Sequence, residues 1–196
     1  MNPSFIQFKK FIAPYGLTNS DFNSIMEFCE IVNFKKGDII MKDGEIQHSV
    51  YFLSKGLIRY FILSNSGEIK TYGFRIENML ITGYGQHNYI NNFRAEVNIE
   101  CLEQSEMVRI PFSAIKILEE KSIIANKVGR RLAESHIIEL VKFIKELDTK
   151  SILERYDDLD NQYPNIHQRV PQHIIASYLR TSAEHLSRLK KARIHS

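Results

Sequence analysis

Apolar side chains change their spacing along this chain, and each change marks a new kind of element. Phe5, Phe8, Phe11 and Ile12 recur at helical intervals until Pro14 and Gly16 intervene. Phe22, Ile25, Met26 and Cys29 then form a second amphipathic stretch, with Thr18, Asn19 or Ser20 available as its N-cap. From Ile31 to Pro111 the pattern is different. Glycines at 37, 44, 56, 67, 73, 83 and 85 punctuate short runs rich in Ile, Val, Tyr and Phe, among them Asp38-Ile-Ile-Met41, Ser49-Val-Tyr-Phe-Leu53, Leu57-Ile-Arg-Tyr-Phe-Ile-Leu63 and Met107-Val-Arg-Ile110. Short strands between glycine turns predict a compact barrel or sandwich, and Ser64-Asn-Ser-Gly67 is the clearest hairpin turn.

Near Phe112 the period becomes helical again, and a long helix is expected from near Ser122 to Leu147. Ile137, Leu140, Ile144 and Leu147 alternate at three and four along it, extended less regularly by Val128 and Ala133. Such a seam packs either on the chain's own β-domain or on a parallel second copy, because a long helix with a narrow apolar stripe buries poorly alone. Asp148 to Asp160 reads as the start of a further helix, which Pro164 ends.

The C-terminal segment reads as two short helices around the turn Arg180-Thr181-Ser182. Ile174, Ile175, Tyr178 and Leu179 share one apolar face, and small Ala176 permits a close helix crossing. After the turn Leu186 and Leu189 return to the core, while Glu184 and Arg188, four apart, share another face. A helix of this kind fits a DNA major groove, where arginine pairs with guanine and glutamate accepts from cytosine. The plain alternative is an ordinary helical hairpin in which Thr181-Ser-Ala-Glu184 serves as a capping box.

Charge favours the first reading. The whole chain has 26 basic and 23 acidic side chains, a net +3 that selects no partner. Between Tyr163 and Ser196, however, Arg169, Arg180, Arg188, Lys190, Lys191 and Arg193 stand against the single carboxylate Glu184, with His167, His173, His185 and His195 beside them. A basic end on a near-neutral chain is the footprint expected for phosphate contact.

Other functions find little support. Cys29 and Cys101 are far apart, without Cys-x-x-Cys or zinc-finger histidine spacing, so no metal or other cofactor is expected and both read as small buried residues. No nucleophile–base pair, Gly-rich phosphate loop or His-Glu-x-x-His is present, which argues against an enzyme. The N-terminus lacks a continuous apolar run and nothing downstream approaches a spanning length, so a cytoplasmic protein without membrane contact is expected.

Helices, a glycine-punctuated β-domain, a long connecting helix and a C-terminal helix-turn-helix, in that order, resemble the Crp/Fnr family of bacterial transcription regulators. The similarity is carried by Lys36-Gly-Asp-Ile-Ile40 with Asp43-Gly-Glu45, Tyr51-Phe-Leu-Ser-Lys-Gly-Leu-Ile-Arg59, and Glu154-Arg-Tyr156 leading to Arg169-Val-Pro-Gln172, Ile175-Ala-Ser-Tyr-Leu179 and Glu184-His-Leu-Ser-Arg188. The first two look like a cyclic-nucleotide-binding β-roll, and the last group looks like the DNA-binding half of Bacteroidetes-type members. The resemblance implies an α+β fold: an N-terminal double-stranded β-helix with its helices over 1–112, a dimerisation helix over 113–148, and a helix-turn-helix domain over 149–196. It implies a homodimer on pseudo-palindromic double-stranded DNA, with Ile137, Leu140, Ile144 and Leu147 as the dimer interface and RNA polymerase as a partner. Its DNA-binding residues map onto Arg169, Arg180, Ser182, Ala183, Glu184, Ser187, Arg188, Lys190 and Lys191.

This sequence departs from the family at both sites. The first arginine of the family's reading set falls on Ala183, and the turn glycine falls on Arg180. The effector pocket would map onto Phe74, Ile76, Glu77, Arg94 and Ala95, yet Ile76 stands where members that bind cyclic AMP have glycine, and Arg94-Ala95 matches their phosphate-binding pair only after a one-residue shift. A cyclic phosphodiester needs both close backbone N–H groups and a cation, so the expected effector is not cyclic AMP but an unknown small molecule, if any. His87 is the one histidine near that pocket, which gives heme sensing no support. The alternative function is a module for cyclic nucleotides or other small ligands that acts through a protein partner.

Overall fold

A computed structural model describes residues 2–83 and 94–194. The chain opens with α1 (Pro3–Ile12), a single 3-10 turn (Ala13–Tyr15) and α2 (Asn19–Met26). Asn2 caps α1, and Thr18 with Asp21 forms a reciprocal capping box on α2. Eight strands follow: β1 (Glu30–Phe34), β2 (Ile39–Met41), β3 (Ser49–Lys55), β4 (Ile58–Leu63), β5 (Ile69–Arg75), β6 (Met79–Ile81), β7 (Asn98–Cys101) and β8 (Ser105–Pro111). They form two four-stranded antiparallel sheets, in the orders β1-β8-β3-β6 and β2-β7-β4-β5. Sequence patterning finds β2, β3, β4 and β8 but does not single out β1, β5 or β6, whose burial does not alternate cleanly.

The residues between the two sheets include Leu53, Ile58, Tyr60, Ile81, Ile99, Cys101 and Met107, all essentially inaccessible. The outer face of the first sheet offers Phe52, Val108 and Ile110 to the N-terminal helices. There Phe8 and Phe11 set their rings 5.3 and 5.1 Å from Phe52, within the range where tilted aromatic pairs attract. The second sheet offers Leu57, Phe74 and Leu102 outward to the C-terminal helices. Both sheets are therefore buried on two faces, which is why β3 reads as a continuous apolar run.

Five more named helices complete the chain after α3 (Phe112–Lys121). The longest, α4 (Ile123–Thr149), starts at Ser122, whose hydroxyl accepts from the Ala125 N–H. It is followed by α5 (Ile152–Gln162), α6 (Ile166–Arg169), α7 (Gln172–Tyr178) and α8 (Ala183–Ile194). Ile137, Ile138, Leu140, Val141 and Ile144 on α4 remain 51–68% exposed, and Leu147 is half-buried. The β-roll thus leaves most of the apolar seam of α4 uncovered in a single chain.

Candidate nucleic-acid interface

The helix-turn-helix is built from α7 and α8. Ile174, Ile175, Ala176, Tyr178 and Leu179 of α7 and Leu186 of α8 are buried together with Leu159, Tyr163, Ile166 and Val170. Helix α7 stops because Arg180 takes a left-handed backbone, φ +61°. The Thr181 N–H then donates to the Ala176 carbonyl and the Arg180 N–H to that of Ser177, the paired bonds of a Schellman motif. The turn that sequence pattern assigns to Arg180-Thr181-Ser182 is therefore real, with arginine at the position that favours glycine.

Helix α8 begins one residue later than the expected capping box. The Ser182 hydroxyl, not that of Thr181, accepts from the His185 N–H. Glu184 sits in the first turn, where hydrogen bonds from its own backbone N–H and from Ser182 hold its carboxyl below the ordinary value. Glu184, Arg188 and Lys191 are exposed at spacings of four and three, so they share one face, with Ser187 half-buried at its edge. The guanidinium of Arg188 lies 3.3 Å from the His185 ring nitrogen.

Three of the basic residues expected at DNA are engaged within the protein. Lys190 donates to the Tyr156 hydroxyl at 2.9 Å and lies over the Tyr156 ring. Arg180 places its guanidinium 4.4 Å from the centroid of Tyr72 on β5. Arg169 is turned away from α8 altogether. It donates through Nε to Glu103 (3.0 Å), through Nη1 to Glu77 (3.1 Å), and through Nη2 to Glu77, Glu103 and the Gly56 carbonyl (2.8, 2.8 and 3.0 Å). Hydrogen bonding to Glu103 leads the forces that raise the Arg169 pKa, opposed by burial and reinforced by Glu77. At Glu77 burial opposes ionisation, but Arg169 and the Gly56 N–H outweigh it and hold the carboxyl below its usual range.

The five residues expected to line an effector pocket are not brought to one place. Phe74 is fully buried against the rings of Tyr163 and Tyr178, and Ile76 packs on the same cluster. Glu77 is committed to Arg169. Arg94 donates to the Gly44 carbonyl at 2.8 Å, and Ala95 is buried between the sheets. The carboxylate and cation that would hold a cyclic nucleotide therefore serve different parts of the fold, and these residues do not fit that ligand. His87 lies outside the described residues. Sequence reasoning missed Glu103, Tyr72 and Ser177 because each meets its partner only across the fold. Ser177 accepts from the Thr71 N–H and donates to the Ile69 carbonyl, tying α7 to β5.

Comparison with known proteins agrees with this architecture. Residues 31–121 match the family model of the cyclic nucleotide-binding domain. The transcriptional activator protein Anr of Pseudomonas aeruginosa is 26% identical over 111 residues, which cover 55% of this chain and 43%, less than half, of that activator. The chain is similar to regulators of the Crp/Fnr family. The structure of FixK2 from Bradyrhizobium japonicum superposes with a TM-score of 0.72 at 14% identity, covering 85% of each chain. A Crp/Fnr family regulator from Eubacterium rectale gives 0.71 at 19%, covering 91% of this chain and 85% of the other. At these identities the likeness to the two structures is one of fold. The chain combines the β-roll with C-terminal helices in the order found in those regulators. Among its described residues no helix is long and apolar enough to cross a membrane, and no group of three or more His, Cys, Asp and Glu could hold a metal ion.

Proposed function

We propose that this chain is a transcription regulator of the Crp/Fnr type that binds double-stranded DNA sequence-specifically as a homodimer. The observation that carries the reading is the exposed row Glu184, Arg188 and Lys191 on α8, set on a helix-turn-helix whose inner face is fully packed. In the DNA complex Glu184, Ser187 and Arg188 meet base edges, with Ser182 and Ala183 close to the groove floor, and Lys191 holds phosphate. Lys190 and Arg180 reach phosphate only after leaving Tyr156 and Tyr72. Arg169 is assigned no direct DNA contact. Residues 113–148 would separate the β-roll from the DNA-binding helices at 149–196.

The dimer reading rests on the uncovered face of α4. A second copy laid along Ile137, Leu140 and Ile144 would bury it and place two α8 helices on successive half-sites. Cyclic AMP is not the effector in this reading, since Glu77 and Arg94 are engaged elsewhere. Selection of bound sites from random duplexes tests the whole proposal. Recovery of an inverted repeat with half-site centres about 34 Å apart supports it; recovery of no consensus, with weak binding that salt abolishes, refutes it.

A further inference from the structure

Arg169 joins three partners, Glu77, Glu103 and Gly56, across the boundary between the β-roll and the C-terminal helices. Its rigid five-donor fork meets two carboxylates in bidentate fashion, the geometry in which arginine is strongest and lysine cannot substitute. Glu77 follows β5, Glu103 lies in the β7–β8 turn, and Gly56 lies in the β3–β4 turn. One side chain of α6 thus ties down three turns at one end of the roll. Two further contacts run from the helix-turn-helix to β5: Ser177 with Thr71 and Ile69, and Arg180 with Tyr72.

The consequence of this docking falls on the start of α8. The β4–β5 hairpin and the helix-turn-helix enclose a cleft of about 300 Å³ lined by Glu68, Lys70, His173, Arg180, Ser182 and Ala183, among others. That is room for a small molecule, not for a duplex. The first turn of a recognition helix is the part that meets base edges. Here Ser182 and Ala183 at its start line the cleft against the hairpin, while Glu184 stays exposed. Arg188 and Lys191, further along α8, remain open.

We propose that Arg169 is an interdomain latch: by gripping Glu77, Glu103 and the Gly56 carbonyl it holds the helix-turn-helix closed on the β4–β5 hairpin, and its release frees Ser182 and Ala183 at the start of α8 for DNA. This rests on the DNA-binding reading above. The latch is built for release, because one cation holds two carboxylates together. Without it they face each other as like charges. Apolar contact also crosses the boundary, where Leu57, Phe74 and Leu102, with partly buried Ile76 and Met79, are the β-roll members of the cluster shared with the C-terminal helices.

The test uses the full chain, as wild type, Arg169→Ala and Glu77→Gln. The second variant keeps the shape of the side chain and an acceptor for the Gly56 N–H, so it folds even where the first does not. Hydrogen exchange at the Thr71 amide, which donates to Ser177, reads the docking without DNA. Fluorescence anisotropy with a duplex recovered by wild type from a random pool reads DNA affinity. Exchange at Thr71 is expected to rise about tenfold in Glu77→Gln, and affinity to tighten about threefold or more. Unchanged Thr71 exchange, or faster exchange with equal or weaker DNA binding, overturns the latch. Faster exchange with no duplex bound by any of the three proteins sustains the latch as the holder of the closed pose and overturns the DNA-binding reading instead.

Discussion

Arg180 holds a left-handed backbone at φ +61° while its guanidinium rests 4.4 Å from the centroid of the Tyr72 ring. One residue thus carries a conformational cost and an interdomain contact together. A non-glycine residue in this region is disfavoured by roughly 1–2 kcal/mol, and an exposed cation–π contact returns about 0.5–1 kcal/mol. Arg180→Gly is therefore expected to raise stability by up to about 1 kcal/mol, whereas Tyr72→Ala lowers it by a similar amount. Urea denaturation of both variants checks the two signs; a destabilised Arg180→Gly would mean that the ring contact dominates.

Arg188 and Lys191 should separate base reading from phosphate holding. Arg188→Ala is expected to cost about 1–3 kcal/mol on the selected site and to relax one base position, while Lys191→Ala lowers the salt slope by about 1 with discrimination kept. Anisotropy titrations at several salt concentrations, on selected and unrelated duplexes, distinguish the two. Equal weakening on both duplexes by Arg188→Ala would remove it from the reading set.

The apolar face of α4 makes a prediction about assembly. Leu140→Glu would bury a carboxylate against its symmetry mate, so the variant should sediment as a monomer and occupy a single half-site. Leu140 is already 57% exposed in the single chain, so the fold itself should survive. Circular dichroism alongside sedimentation verifies this, and an unchanged dimer would place the interface elsewhere.

Acid should loosen the contact between Arg169 and Glu77 in a definite window. The Glu77 pKa is lower folded than its ordinary value of 4.5, so its contribution is complete above that value and disappears as pH falls through the lowered one. The stability difference between wild type and Glu77→Gln should therefore be full at neutral pH and vanish in strong acid. Paired denaturation curves from pH 7 to about 3 measure it. A difference that stays constant over that range would show that the charge of Glu77 is not what matters.

Cyclic AMP should neither bind tightly nor change DNA affinity, because a ligand shifts an equilibrium only through differential affinity for its states. Calorimetry with cyclic AMP and cyclic GMP, paired with DNA titrations at saturating nucleotide, provides the check. A dissociation constant near 1 μM, about −8 kcal/mol, with a tenfold shift in DNA affinity would contradict it.

Local periodicity and caps made much of this molecule legible before its structure. Thr18, one of three candidate caps, and Ser122 start their helices, Gly67 turns its hairpin, and the α7–α8 turn falls on Arg180 as expected. Each of these is decided within a few residues, so sequence carries it. The position of Arg169 was not legible. Counted among the cations of a basic segment, it reads as a phosphate contact, and nothing within that segment reveals that Glu77 and Glu103 lie in range. Phe74 escaped for the same reason: its partners Tyr163 and Tyr178 are remote in the chain, and only the packing of helices on the second sheet brings them together.

Gly56 shows where two selective demands meet in one backbone. Its φ is +116°, and an added Cβ would lie 2.8 Å from the Ser105 Cα, so no other residue fits without moving β8. Its N–H also serves Glu77, and its carbonyl serves Arg169. A substitution here cannot alter regulation while sparing the barrel, or repair the barrel while sparing regulation. Variation that tunes the closed state must therefore accumulate at the ends of the network, in Glu77, Glu103 and Arg169, where side chains can change one at a time and Gly56 stays fixed.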